Sequence, residues 1–271
     1  MTGTLRPRRV AFDLSATPVC WIPGDPQTAH TIDVLHLLLP AGERWFVRVF
    51  QDALPHLSDE GLRQAVRGFM GQEATHSRAH DGALAHLAAL GVDTEPFTRR
   101  VDWLFETALA RRPGRFWLHH RVALVAAIEH YTAFLGAWVI ERSQGLDRAG
   151  ADAAMLRLLR WHGAEEVEHR SVAFDAARDL GVGWLHRAYA MVQTTVAITY
   201  LWVEGTRFLM RADPGARAVR PTWRAFHAAA RDGRLPSLRS LIAEIPRYVH
   251  PRYHPSQTGS LARALAVLAD V

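Results

Sequence analysis

The chain has 271 residues, 49 % of them hydrophobic and 22 % charged, with a formal net charge of +5. That composition excludes a disordered or fibrous chain, and the length lets it bury a sizeable core as one domain without cross-links. The single Cys20 excludes an internal disulfide framework and fits a reducing cytosol; every basic side chain is arginine, interspersed with Asp and Glu rather than gathered on a face that would bind nucleic acid.

Residues 1–30 read as an irregular arm. Pro7, Pro18, Pro23, Gly24 and Pro26 punctuate it, Arg6, Arg8 and Arg9 are expected in solvent, and Trp21 pins the arm to the body. Residues 1–18 lack the apolar stretch of a secretory signal, so a cytoplasmic protein is expected. An apolar run over 31–39 ends at Pro40, and a helix is predicted over 41–54, carrying Glu43 among Trp45, Phe46, Val49 and Phe50. Ser58 is the expected N-cap of a second helix, which stops at Gly91 and carries Glu73, His76 and His80. The connection over 92–112 holds a short helix near 101–110. The next long helix, opened by Pro113-Gly114, runs to Ser143 and carries Glu129. The fourth covers 150–180. A fifth, 184–211, is the most apolar; Gln193, Thr194, Thr195 and Thr199 interrupt its run and Glu204 follows, so a buried core helix is expected rather than a membrane span. Residues 213–271 form a C-terminal wrap with short helices at 221–232 and 236–245.

The fourth predicted helix contains His162-Gly163-Ala164-Glu165-Glu166-Val167-Glu168-His169. At about 100° per residue, His162, Glu166 and His169 fall within an arc of about 60°, so three metal-capable groups face one way. Glu73, His76 and His80 share a face of the second helix in the same manner. Two Glu-x-x-His pairs supply half the ligands of a two-metal helical bundle; the other half is one lone Glu from each of two further helices, for which Glu43 and Glu129 are the candidates. The order Glu, Glu-x-x-His, long connection, Glu, Glu-x-x-His predicts an all-α, ferritin-like four-helix bundle within 31–212: two antiparallel pairs joined by one crossover, with the fifth apolar helix and a helical C-terminal extension added. Such a donor set offers two iron or manganese ions a hard, oxygen-rich shell with open positions, and the cations relieve the repulsion among buried carboxylates. Glu165 is the expected acceptor for the outer ring N–H of His76. Gln72, in the matching place before Glu73, is a weaker acceptor, so the two metals are expected to be unequal.

With these residues in hand, the chain resembles a bacterial ferritin-like family described as predicted metal-dependent hydrolases. The resemblance is carried by Pro40-Ala41-Gly42-Glu43-Arg44-Trp45-Phe46, by Gly71-Gln72-Glu73-Ala74-Thr75-His76-Ser77, by the stretch from His162 to Asp175 and by Tyr253-His254-Pro255, and it covers most of residues 8–255. It implies the metal ligands Glu43, Glu73, His76, Glu129, Glu166 and His169. The His162-x-x-x-Glu166-x-x-His169 spacing is also similar to that of di-iron arylamine N-oxygenases. That narrower likeness, confined to the metal helices, implies His162 as a seventh ligand and favours oxygen chemistry.

Blander roles are weighed for the other polar residues. Glu43 and Glu129, taken singly, would be surface ion-pair partners; their apolar neighbours and the resemblance turn them inward. His80 stays open between a further ligand, a donor behind the ligands and a polar residue at the bundle end. His119, His120 and His130 read as surface or packing residues, Glu168 as solvated, and Glu204 as the partner of Arg207 or Arg211. Trp138, Trp184, Trp202 and Phe208 read as core or as walls of a substrate channel, and His250 and His254 as ties for the tail. The expected function is that of a di-iron enzyme, an O2-dependent oxidase or oxygenase acting on a small apolar or aromatic substrate with an electron donor, and Glu43, Glu73, Glu129 and Glu166 at the reacting centre. The alternative is a hydrolase in which the same ligands, with zinc or manganese, activate water. A second alternative is non-enzymatic iron handling. Apolar surface on the fifth helix points to a homodimer.

Overall fold

Asp25 and Pro26 open the first helix. The Asp25 carboxylate accepts from the Thr28 backbone N–H, and Pro26 sits in the first turn, where a missing N–H costs nothing. The computed structural model of the protein describes residues 5–270; residues 1–4 of the expected arm and residue 271 of the wrap lie outside the described residues. In it the first helix, α1, runs unbroken as Pro26–Ala53, so the expected start after Pro40 is corrected. A proline removes one helical hydrogen bond, but Leu37, Leu38, Leu39, Ala41 and Trp45 around it are all buried, and their packing outweighs the loss.

A short turn leads to α2, Glu60–Ala89, whose N-cap is Asp59 rather than Ser58: Asp59 accepts from the Leu62 N–H, whereas the Ser58 N–H and hydroxyl donate to Asp179. The crossover carries α3, Glu95–Trp103, which passes into a π-helical turn, Leu104–Ala108. Then come α4, Arg115–Arg142, the short α5, Gln144–Arg148, and α6, Ala153–His169. The predicted fourth helix thus breaks directly after His169. There the Arg170 guanidinium turns to the carbonyls of Val167 and Pro255, and the chain restarts as α7, Val172–Asp179, which packs on α2 and α4. The fifth long helix is α8, Trp184–Ala212, and the tail forms α9, Trp223–Arg231, α10, Leu238–Val249, and an unanticipated α11, Leu261–Ala269, capped by Ser260 and packed on α6.

The fold is all-α, with no strand among the described residues. Helix α1 pairs with α2 and α4 with α6, and the four form the ferritin-like bundle, with α8 laid across α1 and α4. The second pair closes tightly because glycine faces glycine: a Cβ on Gly163 would lie 2.5 Å from the Val139 methyl and 2.9 Å from the Gly136 Cα. Among the described residues α4 is the helix long and apolar enough to cross a membrane, and 61 % of its apolar window is buried inside the bundle. Helix α8 is less buried than expected: Leu185, Tyr189, Val192, Val196 and Tyr200 form an exposed apolar stripe on its outer face, and Trp184, expected in the core, is also exposed.

Candidate metal centre

Each bundle helix delivers side chains to one buried point: Glu43 from α1, Glu73 and His76 from α2, Glu129 from α4, and His162, Glu166 and His169 from α6. All seven are at most 5 % exposed. His169 Nε2 lies 3.2 Å from Glu129, 3.3 Å from Glu73 and 3.4 Å from Glu166. His76 Nδ1 lies 3.6 Å from both Glu73 and Glu166, and His162 Nε2 lies 2.9 Å from Glu166 and 3.5 Å from Glu43. Glu73, Glu129, Glu166 and His169 can place one donor atom each within 4.8 Å of one another, as can Glu43, Glu73 and His76, and His76, His162 and Glu166. Glu73 and Glu166 belong to groups on both sides.

The hydrogen-bond pattern divides these side chains into an outer and an inner half. Outward, His76 Nε2 meets Glu165 at 2.9 Å and His169 Nδ1 meets the Gln72 amide oxygen at 3.0 Å. Glu165 and Gln72 are held in turn: Arg8 donates to Glu165 and Glu168 at 2.7 Å, and the Gln72 amide donates to Glu168 at 2.7 Å. Arg8 and Glu168, both expected in solvent, are therefore corrected: the arm folds back and the two close the polar layer behind the histidines. Inward, both oxygens of Glu43, Glu73 and Glu129, one oxygen of Glu166, and single ring nitrogens of His76, His162 and His169 have no hydrogen-bond partner among the described residues. Buried polar atoms are almost always paired. Ten orphans converging on one point fit the coordination of hard cations, for which carboxylate oxygens and imidazole nitrogens are donors.

Charge at the centre is unevenly held. Burial, partly offset by His162, pushes the Glu43 carboxyl up to about 7, and burial with the neighbouring Glu166 does the same to Glu129. Burial and Glu129 drive Glu73 well above the usual carboxylate range. Burial opposes the charge on Glu166 too, but His169 and His162 outweigh it and hold that group well below the range. Burial and the charge on His162 keep His76 down at about 4. For His162 burial is overcome by Glu166 and Glu43, which raise it to about 10; Glu166 and Glu129 raise His169 in the same way.

His80 stands behind His162, its Nε2 3.3 Å from His162 Nδ1 and its Nδ1 2.7 Å from His36 Nδ1. His36 and its neighbours were missed in the sequence. His30, Asp33 and His36 form a buried polar run on α1, with His30 between Asp33 and Asp213 and Trp21 donating to Asp33 at 2.8 Å. The available signal was the three-residue spacing of His30, Asp33 and His36 inside an otherwise apolar helix. His130 lies in the interior, its Nδ1 2.8 Å from the Tyr253 hydroxyl, and His254 meets Asp175, so the tail is tied to the bundle. Glu204 accepts from Arg207, as expected. Trp138 and Trp202 wall a cavity of about 430 Å3 that reaches the centre at His162 and Glu166.

Fold and side chains together define a helical-bundle protein with buried carboxylate–histidine clusters suited to metal. The family model described as “Predicted metal-dependent hydrolase” matches residues 6–259, and the chain belongs to that family. No curated protein and no solved structure matches the chain.

Proposed function

We propose that the protein is a metal-dependent hydrolase acting on an ester or amide of a small, mostly apolar substrate. Glu43 and His76 would hold one ion, Glu129 and His169 a second, with Glu73 and Glu166 available to both and His162 adding a nitrogen beside Glu43. The observation that carries this is the convergence of unpaired carboxylate oxygens and imidazole nitrogens, with the opposite ring nitrogens of His76 and His169 already anchored. Ions in such a site supply polarisation of a carbonyl and a water of lowered pKa. The chain's own part is to fix the rings through Glu165 and Gln72, to exclude bulk water with Leu39, Phe46 and Phe105, and to admit substrate on the side of His162 and Glu166, which line the cavity. The family description supports hydrolysis over the expected oxygenase.

Oxygen chemistry at two irons is kept as a second reading because four carboxylates make an oxygen-rich donor set, and His162 adds a third imidazole to it. Protein stripped with a chelator and reloaded with zinc(II), manganese(II) or iron(II) separates the two. Metal-restored cleavage of aryl esters and anilides, abolished by Glu73→Ala, supports the hydrolase. An O2-dependent absorbance change in the iron protein, with no cleavage under any metal, replaces it by the second reading. Failure to bind any of the three metals refutes both.

A further inference from the structure

The cavity that meets the centre is long as well as apolar. Its wall follows α1 from Gln27 to Phe46, roughly 28 Å of helix at about 1.5 Å per residue. The volume, about 430 Å3, lies within the range of small-molecule sites. Leu35, Leu39, Leu135, Ile198, Ile242 and Ile245 give the wall its aliphatic character.

Most polar side chains in the wall are already engaged with the protein; Thr199 and the indoles of Trp138 and Trp223 are the exceptions among the described residues. Thr31 donates to the Gln27 carbonyl at 2.7 Å, Thr195 to Met191 at 2.8 Å, Thr206 to Trp202 at 2.9 Å and Thr132 to Glu129 at 3.2 Å. The Tyr131 hydroxyl is 3.0 Å from that of Thr195, and the Trp202 indole N–H donates to the Thr31 carbonyl. At one end the Gln27 amide makes two 2.9 Å hydrogen bonds with the Thr222 backbone, and Arg207 in the wall is half-exposed and paired with Glu204. A sugar, peptide or phosphorylated compound would lose more hydration here than the few free donors could replace. Buried polar groups that lack partners occur at the inner end, where Glu166 and His162 meet the cavity beside Gly42, Gly136 and Gly163.

We propose that the substrate is a straight-chain amphiphile, an alkyl or acyl chain with a single polar terminus, its chain in the channel between α1, α4, α8 and α10 and its terminus at Glu166 and His162. This rests on the centre being the reacting site, but it is tested by binding. Linear 1-alkanols from hexanol to dodecanol are titrated into the full-length protein by calorimetry. Affinity is expected to rise about four-fold per added methylene until the channel is full. Ile198→Trp is expected to weaken dodecanol at least ten-fold while sparing hexanol. Leu238→Asp, at a half-exposed position on the wall, should also weaken dodecanol without touching the core. Placement of the terminus is read with octanohydroxamic acid, which should bind the metal-loaded protein at least ten-fold more tightly than octan-1-ol and lose that advantage after chelation. Affinity independent of chain length, dodecanol binding unchanged in both variants, or a hydroxamate no better than the alcohol would each overturn the proposal. Length-dependent binding without any metal-dependent cleavage would leave it standing and remove the hydrolase reading. Cleavage of acetate esters without alkanol binding would do the reverse.

Discussion

Metal removal should make this protein lose stability as pH rises above 7. His162 is raised to about 10 and His169 well above its ordinary value, so below about 6.5 both carry a proton in the folded and the unfolded chain. Between 6.5 and 10 the unfolded chain has lost its proton from His162 and the folded chain keeps it. The folded state then binds more protons, and stability falls as pH rises. Glu43 and Glu129, raised to about 7, act in the same sense at lower pH: their stabilisation is complete below about 4.5 and lost on the way to 7. His76 and His36, both held near 4 chiefly by burial, act in the opposite sense, since they destabilise the fold as pH drops from about 6.5. The two sets oppose each other between 4.5 and 6.5. Above 7 His162 remains, contributing about 1.4 kcal/mol per pH unit, and His169 acts in the same direction. From pH 7 to 9 His162 alone gives about 3 kcal/mol, a drop of roughly 1 M in urea midpoint. Urea titrations of chelator-treated protein at pH 7, 8 and 9 measure this. The metal-loaded protein should show a much flatter profile, because metal replaces those protons, and metal affinity should rise over the same interval. A metal-free midpoint that stays level or rises from pH 7 to 9 would falsify the charge assignment at the centre.

Glu73→Ala and Glu166→Ala should each lose most bound metal while the far-ultraviolet circular dichroism stays helical; full occupancy by elemental analysis in both variants would remove them from the ligand set. Glu165→Gln keeps the shape but weakens the acceptor behind His76, so metal affinity should fall about 10–100-fold, measured by competition with a chromophoric chelator; an unchanged affinity would show that the ring needs no anchor. Gly163→Ala inserts a methyl 2.5 Å from the Val139 side chain and 2.9 Å from the Gly136 Cα. It should cost about 1–3 kcal/mol by chemical denaturation and lower metal content as well, since α4 and α6 must separate; a variant as stable as the parent would contradict the close crossing.

The bundle was legible because its signal is periodic. Glu-x-x-His pairs, apolar stripes and glycine stops all repeat with the helix, so α2, α4 and α8 fall close to their predicted spans. What failed were positions where long-range packing overrules a local rule. Pro40 looked like a boundary because proline breaks isolated helices, yet it lies within the most buried helix of the core. The break after His169 has no glycine or proline to mark it; it comes where Arg170 meets the carbonyl of Pro255, a contact between segments far apart in the chain. Arg8 and Glu168 looked solvated because helix phase alone points Glu168 away from the ligand face. Nothing in the local pattern shows that the N-terminal arm returns to cover it. Glu165 could be placed behind His76 because it immediately precedes the candidate ligand Glu166, the position of the supporting acid in the di-iron proteins the motif resembles, and the 2.9 Å contact shows that pairing. The spacing of His30, Asp33 and His36 marked a polar run on α1, but the pairing of His36 with His80 arises only once α2 is packed against that helix.

The centre has two unlike sides, and the contrast constrains how it works. Behind the histidines lies a polar layer in which Arg8, Glu165, Glu168 and Gln72 satisfy one another and anchor two rings. In front lies the apolar channel, where His162 and Glu166 are the site residues in the wall. An ion pair or hydrogen bond facing such a channel is strengthened by the low dielectric, and an unpaired charge there is penalised for the same reason. The anchoring layer has to be on the far side, where it fixes geometry without competing for the reacting face. The two anchors also differ in kind. His76 is backed by a carboxylate held below its ordinary pKa by His76 and Arg8 against the effect of burial, whereas His169 is backed by a neutral amide. A carboxylate makes the ring it accepts from a stronger donor than an amide does. The nitrogen of His76 that faces the cluster is therefore the stronger donor of the two, and the first metal ion should settle on its side.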